Sequence, residues 1–268
     1  MNSLTSLWRY RYALRSLVTY DLKVRYKKSV LGFLWSLLNP VLLILTYLVA
    51  FKYIWQNPEP NYTVKLFTTV LAWRFFSGAV LDGAKSVATR LALVKRVSFP
   101  RVVLPATKLI SNFVDFVLAL GVLAVFFAAV GVTVNWPYLP LAVSALVTQI
   151  VFSFGLMLIL AGASVFYSDV EFVANNVLQM LFFLSPVLYS AETVTKHPMP
   201  EVFKTIYFLN PVAPWMMAYS SVLPEHEPTK LLPAYYTFFA ISAALALVTL
   251  VVGVLVFRRT EPSFAKEG

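Results

Sequence analysis

Apolar residues fall into six long runs separated by short polar stretches. A helix needs roughly 20 apolar residues to cross about 30 Å of hydrocarbon. The runs predict spans over residues 31–54, 66–84, 103–132, 138–166, 172–189 and 232–257. The second is the weakest, because Arg74 and Asp82 interrupt it. The third has Lys108 and Asp115 in its first turns, and like the fourth it is longer than a bilayer requires, so both are expected to tilt or project. No charged residue lies between 116 and 167, too long an apolar stretch to hide in a small soluble core.

Residues 4–23 have a different pattern. Leu4, Leu7, Trp8, Leu14, Leu17 and Val18 recur at three- and four-residue steps, with Arg9, Arg11, Arg15 and Lys23 between them. This predicts a helix lying in the membrane interface. It reads either as a plain anchor or as one wall of a docking site for another protein. Gly32 permits a tight bend before the first span, and Asn39-Pro40 should kink that span.

Composition agrees with the pattern. The chain is 59% hydrophobic and 13% charged, about half the charged share of a soluble domain. Mean hydropathy is +0.75. The fold class is therefore an all-α, polytopic membrane protein with six transmembrane helices. There is no Cys, and the only two His, His197 and His226, stand far apart. The first 28 residues are too polar and basic for a cleaved signal peptide.

The placement of charge sets an orientation. Of the 22 Lys and Arg, most lie before the first span, between spans two and three, or in the tail at Arg258, Arg259 and Lys266. The opposite face holds Lys52, Lys65, Lys196, Lys204 and Lys230. The positive-inside rule then puts both termini in the cytoplasm, which requires an even number of spans. Trp35 and Trp55 fall near the two ends of span one. The net charge of +10 sits beside spans, so membrane lipids rather than nucleic acid are the expected partners.

Three connections stand out. The loop 85–108, KSVATRLALVKRVSFPRVVLPATK, predicts a short amphipathic helix over 86–97, ended by Phe99-Pro100. Its apolar face either lies on lipid or inserts into a partner. Asp169, after span four, reads as a helix cap or as half of a salt bridge to the N-terminal segment or a partner, with Glu171 beside it. Segment 190–230 is apolar and aromatic, but Asn210, Pro211 and Pro214 break it. It predicts a re-entrant or interfacial element on the external side, a gate or pore wall. Tyr189, Tyr207, Trp215 and Tyr219 surround it, and such rings suit sugar faces.

No phosphate loop, metalloprotease motif, catalytic triad or intramembrane carboxylate series is present, so neither catalytic nor metal residues are assigned. Asp82 and Asp115 read as local caps or pairs near the cytoplasmic interface, and Arg74 as a side chain that snorkels outward.

Four blocks carry a family resemblance: VRYKKSVLGFLWSLLNP at 24–40, LVKRVSFPRVVLP at 93–105, LQMLFFLSPVLY at 178–189 and LNPVAP at 209–214. In their order and placement the chain resembles the membrane subunits of bacterial polysaccharide ABC exporters, the ABC-2 type permeases that include the O-antigen exporters. The family's usual Phe-Arg-Asp run after span four reads Tyr167-Ser168-Asp169 here, and Val102 follows Arg101 where relatives often carry a polar residue. The resemblance implies one transmembrane domain over 1–268: an interface segment 1–30, a six-span region 31–257 and a cytoplasmic tail 258–268. It implies a homodimer joined by two copies of a separate ATPase subunit, which binds ATP and Mg, so no cofactor is expected in this chain. It implies a cargo of undecaprenyl-diphosphate-linked polysaccharide, carried across the bacterial inner membrane. Arg25, Lys27 and Lys28 would meet the carrier diphosphate at the entrance. Arg90, Leu91, Val94, Lys95, Arg96, Phe99 and Arg101 would receive the ATPase stroke. Tyr189, Tyr207, Asn210, Pro211, Trp215 and Tyr219 would form the channel or external gate. Exporters of capsule polymer, teichoic acid, or small lipids and drugs share the family, and a lipid-diphosphate enzyme or a non-transport scaffold is a further alternative.

Overall fold

The computed structural model describes residues 10–26, 34–54, 62–96, 99–223 and 227–264. All regular structure among them is helical. The chain begins with α1 (Arg11–Tyr26), then α2 (Leu34–Tyr47), which runs on as a π-helical stretch, Leu48–Ile54. Next come α3 (Tyr62–Ala84), the short α4 (Leu91–Arg96) and the long α5 (Val103–Val130). α6 (Leu139–Ala163) returns and α7 (Val170–Phe183) follows. Four short helices, α8 (Ala191–Lys196), α9 (Glu201–Leu209), α10 (Val212–Ser220) and α11 (Pro228–Leu231), lead to α12 (Tyr235–Thr260). Gly32, Trp55 and His226 lie outside the described residues.

Four helices are long and apolar enough to cross a membrane: α3, α5, α6 extended by the turn before it, and α12. The other two expected spans differ. α2 has 14 residues before its backbone changes to the π form, and α7 has only 14. At 1.5 Å per residue, 14 residues reach about 21 Å, short of the hydrocarbon thickness. α7 stops just before Ser185-Pro186, where Pro supplies no donor and disfavours helix at the residue before it. Pro105 is tolerated because it falls in the first turn of α5, where its missing N–H has no helical partner to lose.

The span that looked weakest in sequence is the hub. α3 packs against α2, α5, α6, α7 and α10. Of its most apolar stretch, 78% is buried. α6 and α12 form the most extensive helix pair, crossing where Gly155 meets Gly253. A Cβ on Gly155 would strike the backbone at Thr249 and Leu250, and one on Gly253 would strike the Gly155 carbonyl. Such close approach is how small residues hold helices together in lipid. Gly131 ends α5 in the left-handed conformation, φ 74°.

Candidate functional site

The bundle has a basic end, where α1 and α4 sit, and a far end formed by α8–α11. At the basic end the sequence-predicted entrance residue Arg25 is already engaged. Its guanidinium donates to Asp82 at 3.1 Å and to Asp115. Asn112 also donates to Asp82, at 3.1 Å, and Lys85 lies 3.7 Å from Asp82 and 3.6 Å from Glu171. Asp82 and Asp115 thus share Arg25 of α1, and Asp82 also has a local partner, Lys85, while Glu171 pairs with the loop after α3. Asp169 stands at the N-cap of α7 without a side-chain capping bond. Lys27 and Lys28 lie outside the described residues.

Above this cluster a cavity of about 580 Å³ opens between α2, α3 and α5. Arg25, Asn39, Arg74, Ser77, Asn112 and Asp115 supply its polar lining. A second cavity of about 360 Å³ lies between α2, α3 and α7. Arg74, Ser77 and Leu81 line both, so the two join along one side of α3. Arg74 is exposed to this groove, near the middle of the 23-residue α3. An Arg at the centre of a membrane helix costs about 3 kcal/mol on insertion scales unless water, protein or a ligand meets it. It faces the groove.

α4 does not lie bare. Val94 and Val87 are buried with Val102, Leu104, Phe257 and Phe264 in a small core, and Phe99 packs on its edge. Leu91 is half-buried, whereas Ala92 and Lys95 are exposed and Arg96 is the last residue of the helix. Arg90 turns inward to Asp21 at 3.0 Å, and Lys108 reaches the same carboxylate oxygen at 2.6 Å. Asp21 is buried and ties α1, the segment before α4, and α5 together. Sequence reasoning passed over Asp21; the signal was a lone carboxylate in a helix otherwise rich in cations. The Arg101 backbone N–H donates to Glu261 at 2.9 Å, joining this end to the tail of α12.

At the far end the broken segment is satisfied by side chains. Asn210 donates to the Leu184 carbonyl at 3.0 Å and to Ser185 Oγ at 2.7 Å, and its Oδ1 accepts from the Val212 N–H at 3.1 Å. Thr69 donates to the Val187 carbonyl at 2.7 Å, and Tyr62 donates to the Leu188 carbonyl. Tyr207 donates to Tyr189 Oη at 3.0 Å, and Tyr189 donates to the Phe183 carbonyl at 2.7 Å. Burial, then the neighbouring Tyr189, pushes the Tyr207 phenol far above the ordinary tyrosine range, so it stays a neutral donor. The Pro211 carbonyl accepts from Ser242 at 2.9 Å. Trp215 and Tyr219 occupy the packed interior: Trp215 sits edge-on to Phe76 and Phe152, and Tyr219 donates to Gln149 at 2.6 Å.

Among the described residues no group of three or more His, Cys, Asp or Glu is placed to hold a metal ion. The arrangement is a helix bundle with a groove along one side of α3, a tied basic end and a broken far end. The sequence profile of the ABC-2 type transporter family matches residues 12–223, from α1 through α10. The chain belongs to the ABC-2 type transporter family. As an ABC-2 protein it is a transport component, not an enzyme. It is similar to the O-antigen export system permease protein RfbA of Myxococcus xanthus, 34% identical over 260 residues, covering 97% of this chain and 96% of that protein. Two Klebsiella pneumoniae proteins of the same description are 28% and 26% identical, each covering 92% of this chain and 91% of its own length. The match to this ABC-2 transporter thus takes in α1, α4 and α8–α10 as well as α3, α5 and α6, and ends before α11 and α12.

Proposed function

We propose that this chain is the membrane permease subunit of an ATP-driven exporter of O-antigen or a related surface polysaccharide. The observation that carries the reading is its likeness, over more than nine-tenths of the chain, to three O-antigen export permeases. The cargo is glycan on an undecaprenyl diphosphate carrier, moved from cytoplasm to periplasm across the inner membrane. The functional unit is a homodimer with two copies of a nucleotide-binding subunit, which binds ATP and Mg. All 268 residues form one transmembrane domain. α2 with its π-helical continuation and α7 complete six crossings, with both termini cytoplasmic. The positive-inside distribution of Lys and Arg supports that orientation.

In this reading α1 is the interface helix and α4 the coupling helix. Ala92, Lys95 and Arg96 meet the ATPase; Leu91, Val94 and Phe99 seat the helix on the bundle. The Asp21–Arg90–Lys108 cluster would carry a push on α4 into α1 and α5, because breaking such a buried pair is costly. Arg101 extends that link to the end of α12. At the entrance two carboxylates offset Arg25, so attraction of the diphosphate falls mainly to Lys27 and Lys28. α8–α10 form the external gate: Tyr189, Tyr207, Asn210 and Pro211 hold its hinge to α7 and α12, while Trp215 and Tyr219 anchor its base.

The test is ATP hydrolysis by the complex of this chain co-expressed with its ATPase subunit. Stimulation by undecaprenyl-diphosphate-linked glycan is expected, reduced when Lys27 and Lys28 are neutralised. Stimulation by small amphiphiles alone would assign another cargo, and failure to form a complex would sink the permease reading.

A further inference from the structure

Among the described residues, one cation of the groove along α3, Arg74, has no carboxylate within ion-pair distance. At its basic end the two cations Arg25 and Lys85 pair with three carboxylates, Asp82, Asp115 and Glu171. Among the described residues no carboxylate pairs with Arg74; its electrostatic neighbour is the Tyr47 phenol across the groove. Facing it from α7 are Asn175 and Gln179, one helical turn apart, which line the same cavity as Arg74. Neither amide makes a side-chain hydrogen bond among the described residues. The remaining wall is apolar and aromatic, with Leu43, Trp73, Leu178 and Phe182.

This combination selects a ligand chemistry. A guanidinium is permanently charged and matches phosphate oxygens two at a time. Two free amides add donors to the same oxygens. Low dielectric strengthens every such contact. Apolar walls beside the cation suit a hydrocarbon chain attached to the anion. We propose that Arg74, with the amides of Asn175 and Gln179, is a mid-membrane station for the phosphate groups of a polyprenyl phosphate or diphosphate lipid, whose chain lies along α2 and α7. The proposal rests on the export reading and names where the carrier head group rests between entrance and exit. It also accounts for a charged residue in the middle of the most enclosed helix, where a purely structural span would carry none.

The experiment measures retention of undecaprenyl diphosphate by the purified complex of full-length chain and ATPase in nanodiscs, read by mass spectrometry of the bound lipid. Undecaprenol, lacking phosphate, and sodium pyrophosphate, lacking the chain, are the two comparison probes. Arg74→Gln is expected to weaken undecaprenyl diphosphate binding about tenfold or more. Undecaprenol binding should not change. Arg74→Lys should fall between, and the pair Asn175→Ala with Gln179→Ala should weaken the diphosphate lipid about threefold. If Arg74→Gln does not assemble, the last two variants decide. Equal retention by the variants and the unaltered chain would overturn the station. So would displacement of the lipid by equimolar pyrophosphate, which would mark a free-anion site. Unchanged retention with glycolipid-stimulated ATP hydrolysis intact would remove the station and leave the export reading standing. No affinity of the unaltered chain for any prenyl diphosphate would remove both.

Discussion

α3 and α12 both qualify as membrane spans, yet they occupy opposite environments. α3 is the least apolar of the four long helices and the most enclosed, with 78% of its most apolar stretch buried. α12 is the most apolar, with only 17% of that stretch buried. In water the order would be reversed. In a bilayer the outside is as apolar as the core, so hydrophobicity gives no reason to go inside. Polar side chains do need the inside, because lipid cannot hydrogen-bond them. α3 carries Thr68, Thr69, Arg74, Ser77 and Asp82, all paired or facing the groove. α12 turns Leu247, Val248, Val251 and Leu255 outward and touches the bundle through Ser242, Ala246, Gly253 and Phe257.

The comparison breaks most clearly if truncation hurts both helices equally. Phe76→Ala, which removes a fully buried ring packed on Trp73, Phe152 and Trp215, should destabilise the bundle by about 3 kcal/mol. Leu247→Ala should stay within about 0.5 kcal/mol. Equilibrium unfolding in mixed detergent–SDS micelles measures both. Arg74→Leu sharpens the functional side: the same titration should show a gain of about 2 kcal/mol, while export of polymer in cells falls. A loss of stability would make Arg74 a structural residue. Gly253→Ala should cost about 2 kcal/mol by forcing α12 away from Gly155, whereas Gly121→Ala on α5, with open space around its Cβ, should be neutral or slightly stabilising. A smaller loss is expected of Tyr219→Phe. It leaves Gln149 Oε1 without its donor and should cost about 1 kcal/mol, with export barely changed, since the ring sits in the packed interior.

The length of apolar runs made four spans legible, and the start of α5 at Val103 falls where the sequence placed it. The fifth run was overestimated because its apolar character continues past Ser185-Pro186 although its helix cannot. Direction was harder to read than extent. A helix apolar all round has no periodic stripe, so nothing in the sequence told which face of α3 would be inside or that Arg74 would line a groove. The aromatic richness near residues 189–219 was visible, but the split between Tyr189 and Tyr207, which hold a hinge, and Trp215 and Tyr219, which fill the core, depends on packing between segments distant in sequence. The amphipathic loop helix was legible as an element. Part of its apolar face packs within the chain: Val94 covers a core made by α5, α6 and α12. Asp21 and Glu171 chose partners in α4's loop and α5, contacts that no local pattern announces.

The central claim is that the least apolar span borders an internal groove open to polar solutes and the most apolar one borders lipid. The chain contains no Cys, so single cysteines report without background. Ser77→Cys on α3 and Val248→Cys on α12 would be treated, in membranes, with a charged membrane-impermeant maleimide and with an apolar one. The account predicts that the charged reagent labels Ser77→Cys and not Val248→Cys, and that undecaprenyl diphosphate protects the former. Labelling of Val248→Cys by the charged reagent, with Ser77→Cys silent to it, would contradict the account.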